Sequence, residues 1–222
     1  MATTDERPVQ FTAGGLRLEG RLHLPPGATA GAVICHPHPQ YGGTMDNNVV
    51  AAVATALQAL GMATLRFNFR GVGASEGEHG GGAEEVIDAR AAVAFLRAAG
   101  PGEITLAGYS FGAAVAARAV DDAATLRAAA ARDHEADRVS RLVLIAPPLA
   151  FFSLDGLSDC RLPKLFIAGD RDDYCSLDSL RAAVAPLPEP KTVVTIPRAD
   201  HFFSGAEDAL AAPLARFHRE TA

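Results

Sequence analysis

Apolar and polar positions along this chain fall into two rhythms. In VQFTAG and LRLEGRLHL every second residue is apolar, which predicts an antiparallel hairpin turning at Gly14-Gly15. Six short apolar runs follow: AVICH, MATLRFN, EITLAG, RLVLIA, KLFIAG and TVVTIP. Runs apolar on both faces suit strands covered by helices on both sides. Between them, apolar residues recur at helical spacing, at Val49, Val53, Leu57 and Leu60, then at Val86, Val93 and Leu96, and last at Leu210, Leu214 and Phe217. The second of these helices is expected to turn Glu84, Glu85, Asp88 and Arg97 outward. Strands alternating with helices predict a mostly parallel, doubly wound α/β sheet of about eight strands, with helices on both faces. Sites in such sheets form at the carboxyl ends of the strands, so the loops after the apolar runs are where chemistry is sought.

Composition narrows the function classes. The 222 residues are 49% hydrophobic and 21% charged, which predicts one globular domain spanning 1–222. A formal charge of -6 with only two lysines, Lys164 and Lys191, argues against a nucleic-acid surface. MATTDERPV is charged and has no apolar core of a secretory signal. The longest uncharged run, Asn47 to Leu65, is interrupted by Asn, Gln and Gly and reads as a helix followed by a strand, not a membrane span. Cys35, Cys160 and Cys175 are an odd set at unrelated spacings, suited to reduced thiols and a cytoplasmic protein. Oligomeric state is not encoded in any of these features.

The run EITLA leads directly into Gly108-Tyr109-Ser110-Phe111-Gly112 and then an alanine-rich helix. This is G-x-S-x-G in strand–turn–helix context, where a sharp turn exposes the serine hydroxyl and small flanking residues let strand and helix close around it. A serine hydroxyl needs a base, and the base needs an orienting group. KLFIAG runs into Asp170-Arg171-Asp172-Asp173, and TVVTIP runs into Asp200-His201. His201 is the histidine that follows a late strand, whereas His218 lies inside the final helix and is expected at the surface. Asp170, Asp172 and Asp173 are all candidates for the orienting acid, and Asp200 is expected to be solvated. For a developing oxyanion, one donor is the Phe111 N–H at the helix start. The other comes from His36-Pro37-His38-Pro39-Gln40, in which the prolines lack an N–H, leaving His38, with Gln40 as the fallback. His36 and His38 also have metal-ligand spacing, so a metal-dependent hydrolase is a rival reading. A non-catalytic binding protein on the same fold is another. Tyr41, Phe151, Phe152, Phe202 and Phe203 are candidates for an apolar substrate pocket.

GYSFG, GDRDD and ADHFF together resemble the α/β-hydrolase superfamily, in which the order along the chain is serine, acid, histidine. ICHPHPQYGGTMDNNVV and RFNFRGVGASEG narrow the likeness to small, lidless bacterial serine hydrolases related to dienelactone hydrolases, over roughly residues 8 to 218. The resemblance implies an α/β-hydrolase fold without a cap domain, a triad of Ser110, Asp172 and His201, and hydrolysis of carboxylic esters or thioesters without cofactor or metal. It selects Asp172 because the family's catalytic aspartate stands three residues after the glycine that is here Gly169. Dienelactone hydrolases proper use a cysteine nucleophile, so their substrate is not carried over to Ser110. Only 17 residues, Pro147 to Pro163, lie where cap domains usually enter, too few for packed helices. Residues 121 to 139 exceed what a direct connection needs and are expected to form an extra helix. Arg70, Gly71, Gly73 and Ser75 are read as structural residues shaping the site's floor.

Overall fold

A computed structural model of the chain describes residues 5–120 and 139–221. The hairpin forms as its alternation dictates, β1 Arg7–Ala13 against β2 Leu16–His23, with Gly14 and Gly15 both at positive φ in the turn. Strands β3 Ala30–Cys35, β4 Ala63–Phe67, β5 Glu103–Tyr109, β6 Arg141–Ile145, β7 Lys164–Gly169 and β8 Lys191–Ile196 complete one eight-stranded sheet in the order β1-β2-β4-β3-β5-β6-β7-β8. β2 is antiparallel to β4, and every later pairing is parallel. The chain leaves β3 toward β4 on one side and returns to β5 on the other. The crevice at the carboxyl ends of β3 and β5 is therefore the switch point where such sheets hold their sites.

Among the described residues the longer helices are α1 Asn48–Gln58, α2 Ala83–Ala98, α3 Phe111–Ala119, α4 Leu177–Val184 and α5 Ala211–Glu220. α1 and α5 cover one face of the sheet, where Val49, Val53, Leu57, Leu214 and Phe217 pack on Ala32, Ile34, Val143 and Ile167. α2, α3 and α4 cover the other, where Val93, Leu96, Val115 and Leu180 pack on Val33, Leu106, Leu144 and Phe166. Successive strand residues thus feed alternate cores, which is why the runs carry no polar face. Asn47 caps α1 by accepting the Val49 N–H at 3.0 Å, and Leu60, expected on its apolar face, instead lies exposed beyond its end.

Two acids expected to face solvent on α2 are fully buried. Asp88 accepts the Arg70 backbone N–H at 3.0 Å and its guanidinium at 2.7 and 3.0 Å, while Glu84 meets the same guanidinium from the rim. Glu85 accepts the N–H groups of Gly80 and Gly82 at 2.8 and 2.7 Å and lies 2.8 Å from His79 Nδ1. Burial pushes the Glu85 carboxyl up, but those N–H groups and His79 outweigh it and hold it below the usual range. Both carboxylates therefore tether the loop between β4 and α2. His218, expected at the surface, is half-buried, with Nε2 3.0 Å from Thr105 Oγ1 and Nδ1 donating to the Leu214 carbonyl. Between β6 and β7 the chain forms only a short helical turn, Asp155–Leu157, so no cap enters there. The extra helix expected at 121 to 139 falls almost wholly outside the described residues.

Candidate active site

Ser110 follows β5 at φ 53° and ψ -118°, a conformation L-residues avoid, and its N–H donates to the Ile145 carbonyl at 2.9 Å. The two glycines beside it answer different steric demands. A Cβ on Gly108 would stand 2.1 Å from the Gly112 carbonyl oxygen, so the turn cannot fold back on itself with any larger residue there. A Cβ on Gly112 would stand 2.3 Å from the Cys35 carbonyl oxygen and 2.6 Å from that of His36. The first turn of α3 therefore rests directly on the backbone that ends β3. Among the described residues three other non-glycine residues have positive φ: Ala146 and Arg198 within two residues of a strand end, and Phe203 in the turn after His201.

The loops after β5, β7 and β8 bring Ser110, Asp172 and His201 together. Ser110 Oγ lies 3.0 Å from His201 Nε2. His201 Nδ1 lies 3.0 and 2.9 Å from the two oxygens of Asp172. A carboxylate can only accept, so the imidazole proton sits on Nδ1 and leaves Nε2 free to take the serine proton. Asp172 Oδ1 also accepts the N–H groups of Tyr174 and Cys175 at 2.9 and 2.8 Å. Desolvation, with Asp172 adding to it, pushes the buried Cys175 thiol up to about 12, so it stays neutral beside the acid. The other two carboxylates of the loop are placed elsewhere. Asp170 accepts the Arg198 N–H at 2.6 Å, and Asp173 is exposed. Asp200 is exposed as expected and accepts the Phe202 N–H.

The β3 loop is pinned by His36. Its Nδ1 donates to the Pro37 carbonyl at 2.6 Å and its Nε2 accepts the Phe69 N–H at 3.0 Å. Burial lowers its pKa to about 4, so the ring is neutral and its tautomer fixed. Across the trans Pro37–His38 peptide the N–H points away from the held carbonyl, so His36 aims the His38 N–H. Gly43 sits close behind, where a Cβ would be 2.0 Å from that same Pro37 oxygen. Gln40, the fallback donor, gives its N–H to His38 Nδ1 at 3.2 Å. The rival metal reading loses its first ligand here, because both nitrogens of His36 are engaged by backbone. Among the described residues no group of three His, Cys, Asp or Glu side chains is placed to hold a metal ion.

Aromatic rings surround these groups. Phe111 packs against His38 and His79 at centroid distances of 4.8 and 5.4 Å, and Tyr41 against His38 at 4.9 Å. Tyr41, Phe151 and Phe202 are exposed at the loop ends, and Phe152 is half-buried beneath the Arg118 guanidinium. Phe203 is not a pocket residue. It is fully buried in the core with its ring against Tyr109. The turn after β4 does underlie the β3 loop: Phe69 touches His36 and Phe111, and Ser75 Oγ donates to the Asn68 carbonyl at 2.7 Å.

Tyr109 and Tyr174 carry no motif that singles them out in the sequence. Tyr109, the variable residue of GYSFG, donates its hydroxyl to the His201 carbonyl at 2.9 Å. Burial, and the charges of Asp172 and Asp200, raise its pKa and keep that proton in place. Tyr174 lies 4.8 Å from the His201 ring centroid.

This is an α/β-hydrolase fold with a strained serine in the sharp turn between β5 and α3. The chain belongs to the α/β-hydrolase family: the family model described as an alpha/beta hydrolase domain matches residues 32–210. It falls among the small lidless serine hydrolases of that superfamily. An α/β serine hydrolase homologue from Coxiella burnetii is similar to it at 33% identity and a TM-score of 0.83, covering 97% of this chain and 98% of that one. An α/β serine hydrolase without lid from Xanthomonas campestris is similar at 32% and 0.82, covering 99% and 96%. Among curated sequences, an uncharacterized protein of Rickettsia prowazekii is 32% identical over 206 residues, 88% of this chain and 81% of its relative. No helix among the described residues is long and apolar enough to cross a membrane.

Proposed function

We propose that this chain is a single-domain serine carboxylesterase, cleaving small carboxylic esters, and thioesters by the same chemistry, through an acyl-enzyme on Ser110. His201 Nε2 takes the hydroxyl proton as Ser110 Oγ attacks the carbonyl carbon, and Asp172 holds the imidazole tautomer and stabilises the imidazolium. The backbone N–H groups of Phe111 and His38 stabilise the oxyanion, each worth about 2.7–4 kcal/mol in comparable sites. The imidazolium then gives its proton to the departing alcohol or thiol. Water, deprotonated by His201, attacks the acyl-enzyme, and the acid product leaves with Ser110 regenerated. No step calls for a cofactor, and the reduced cysteines suit a cytoplasmic setting.

The observation that carries this reading is the unbroken relay from Ser110 Oγ through the His201 ring to Asp172, every contact at 3.0 Å or less. Ser110→Ala is expected to lower kcat on p-nitrophenyl butyrate by at least about 10³-fold. A fluorophosphonate probe is expected to label the folded wild-type chain on the peptide containing Ser110. Unimpaired turnover in Ser110→Ala would remove the serine from the reaction. A folded chain that neither turns over esters nor takes the probe would instead be a binding module.

A further inference from the structure

Exposed aromatic side chains are unevenly distributed over this molecule. Among the described residues the large exposed rings are Tyr41, Phe151, Tyr174 and Phe202, and they follow β3, β6, β7 and β8. All four therefore stand at the end of the sheet that carries Ser110. The exposed aliphatics Leu24, Leu60 and Ile87 are not in those loops. Scattered apolar exposure needs no explanation, but exposure confined to the rim of one site does.

Two of the rings flank the base. Tyr174, 46% exposed, lies 4.8 Å from the His201 ring centroid, and Phe202, 56% exposed, lies 5.6 Å from it and nearly perpendicular. Both are held in place through their backbones. The Tyr174 N–H is bound by Asp172, the Phe202 N–H by Asp200, and the Phe202 carbonyl accepts Asn48 Nδ2 at 3.1 Å. Tyr41 instead packs on His38, in the loop after β3.

Proton transfer decides what each wall faces. The atom that leaves with the alcohol must accept its proton from His201 Nε2, so the departing group lies on the histidine side. The acyl carbonyl is drawn the other way, toward the Phe111 and His38 N–H groups. Resting on the hydrolase reading above, we infer that Tyr174 and Phe202 form the seat of the leaving group and select esters of neutral alcohols that carry a ring or a bulky apolar group. The same two loops expose Asp170, Asp173 and Asp200 beside Arg171 and Arg198, charges that nearly cancel. Recognition at this seat is therefore apolar, not ionic.

The test compares benzyl acetate with 2-methoxyethyl acetate, which share an acyl group and have alcohols of similar acidity, using the full chain in a pH-stat assay. Wild type should favour benzyl acetate in kcat/KM by about tenfold, the scale of one or two aromatic contacts. That ratio should fall toward unity in Tyr174→Ala and Phe202→Ala, and should be restored in Tyr174→Phe. The kcat/KM ratio of ethyl hexanoate to ethyl acetate, which reports on the acyl wall, should hold in the same variants. A benzyl preference that survives both alanine variants, including an equal loss on both acetates, overturns the inference. So does a change confined to the acyl-length ratio. Loss of serine dependence, read from Ser110→Ala on the same esters, would be a failure of the hydrolase reading itself and is recognised separately.

Discussion

Replacing Asp172 by asparagine tests the relay most sharply, because the backbone dictates how the new amide must lie. Oδ1 of Asp172 accepts two N–H groups, from Tyr174 at 2.9 Å and Cys175 at 2.8 Å. An asparagine here must keep its carbonyl oxygen at that corner, since an NH₂ group there would face two donors. Its NH₂ then takes the place of Oδ2, 2.9 Å from His201 Nδ1. Nδ1 lies 3.0 Å from the retained oxygen, but that oxygen already accepts two N–H groups, and the amide N–H at 2.9 Å favours the tautomer in which Nδ1 accepts. The proton moves to Nε2, which can no longer receive one from Ser110 Oγ. The side-chain volume and both backbone hydrogen bonds survive, so the loss falls on chemistry and not on folding. A wrong tautomer in this kind of relay costs about 10⁴-fold in kcat, or about 5.5 kcal/mol of transition-state stabilisation.

The assay is p-nitrophenyl butyrate hydrolysis at pH 7.5, with urea unfolding of the same samples to show that stability has moved by less than about 1 kcal/mol. Asp170→Asn and Asp173→Asn serve as neighbours on the same loop. Asparagine at 170 can still accept the Arg198 N–H, and Asp173 is exposed, so both should stay within about threefold of wild type. The reasoning is refuted if Asp172→Asn keeps a tenth or more of the activity, or if Asp173→Asn is the most damaging of the three.

Other expectations follow from the same contacts. Tyr109→Phe leaves the buried His201 carbonyl without its hydroxyl donor, which should cost about 1 kcal/mol and lower Tm by about 2–4 °C. Its kcat should fall while KM holds, and an unchanged kcat would show that the bond does not hold the imidazole in place. Asp88→Ala strands the Arg70 guanidinium in the interior and should cost about 3–5 kcal/mol in urea unfolding; a loss below about 1 kcal/mol would mean Glu84 alone suffices. His36 has its pKa lowered to about 4 in the fold, so between pH 6.5 and 4 the unfolded chain binds a proton that the native chain refuses. Its contribution is therefore intact above pH 6.5 and is lost as pH falls, by about 2.5 kcal/mol between pH 7.5 and 4.5. Urea titrations of wild type and His36→Gln across that range should show a shallower decline in the variant, and parallel declines would contradict it.

What the sequence disclosed, and what it withheld, divides along a physical line. Strand runs, helix faces and the loops that end β5 and β8 are local patterns, and Ser110 and His201 follow from them directly. The acid was not legible from the residues alone, because Asp170, Asp172 and Asp173 are alike in type and adjacent in position. Only the resemblance singled out Asp172, and the structure gives the difference a cause: this carboxylate meets two N–H groups of its own loop and the ring of another. Glu85 and Asp88 defeat the helical pattern for a related reason. A carboxylate at a helical position looks solvated unless something buried opposes it, and the opposing groups are a guanidinium from the turn after β4 and two glycine N–H groups. His218 shows the same failure on a smaller scale, its partner Thr105 being 113 positions away.

The β3 loop carries that line of argument furthest. Its sequence, with two prolines and two histidines, reads as a rigid donor loop, with a pair of metal ligands as the rival reading. The choice turns on what occupies the two nitrogens of His36, and both are taken by backbone groups, Pro37 O and Phe69 N–H. One of those bonds lies within the loop; the other reaches across to the end of β4. Gly43 lets the chain return behind the held carbonyl, and Gly112 lets the start of α3 settle against the residues just before it. Each contact alone is an ordinary packing detail. Together they fix the Phe111 N–H at the start of α3 directly against the loop whose His38 N–H is already aimed away from Pro37 O. The buried histidine, the proline-stiffened loop and the glycine at 112 are therefore parts of one arrangement. A side chain at 112 should push the first turn of α3, with Ser110 at its start, away from the β3 loop, and Gly112→Ala should lose kcat on p-nitrophenyl butyrate; wild-type turnover in that variant would contradict it.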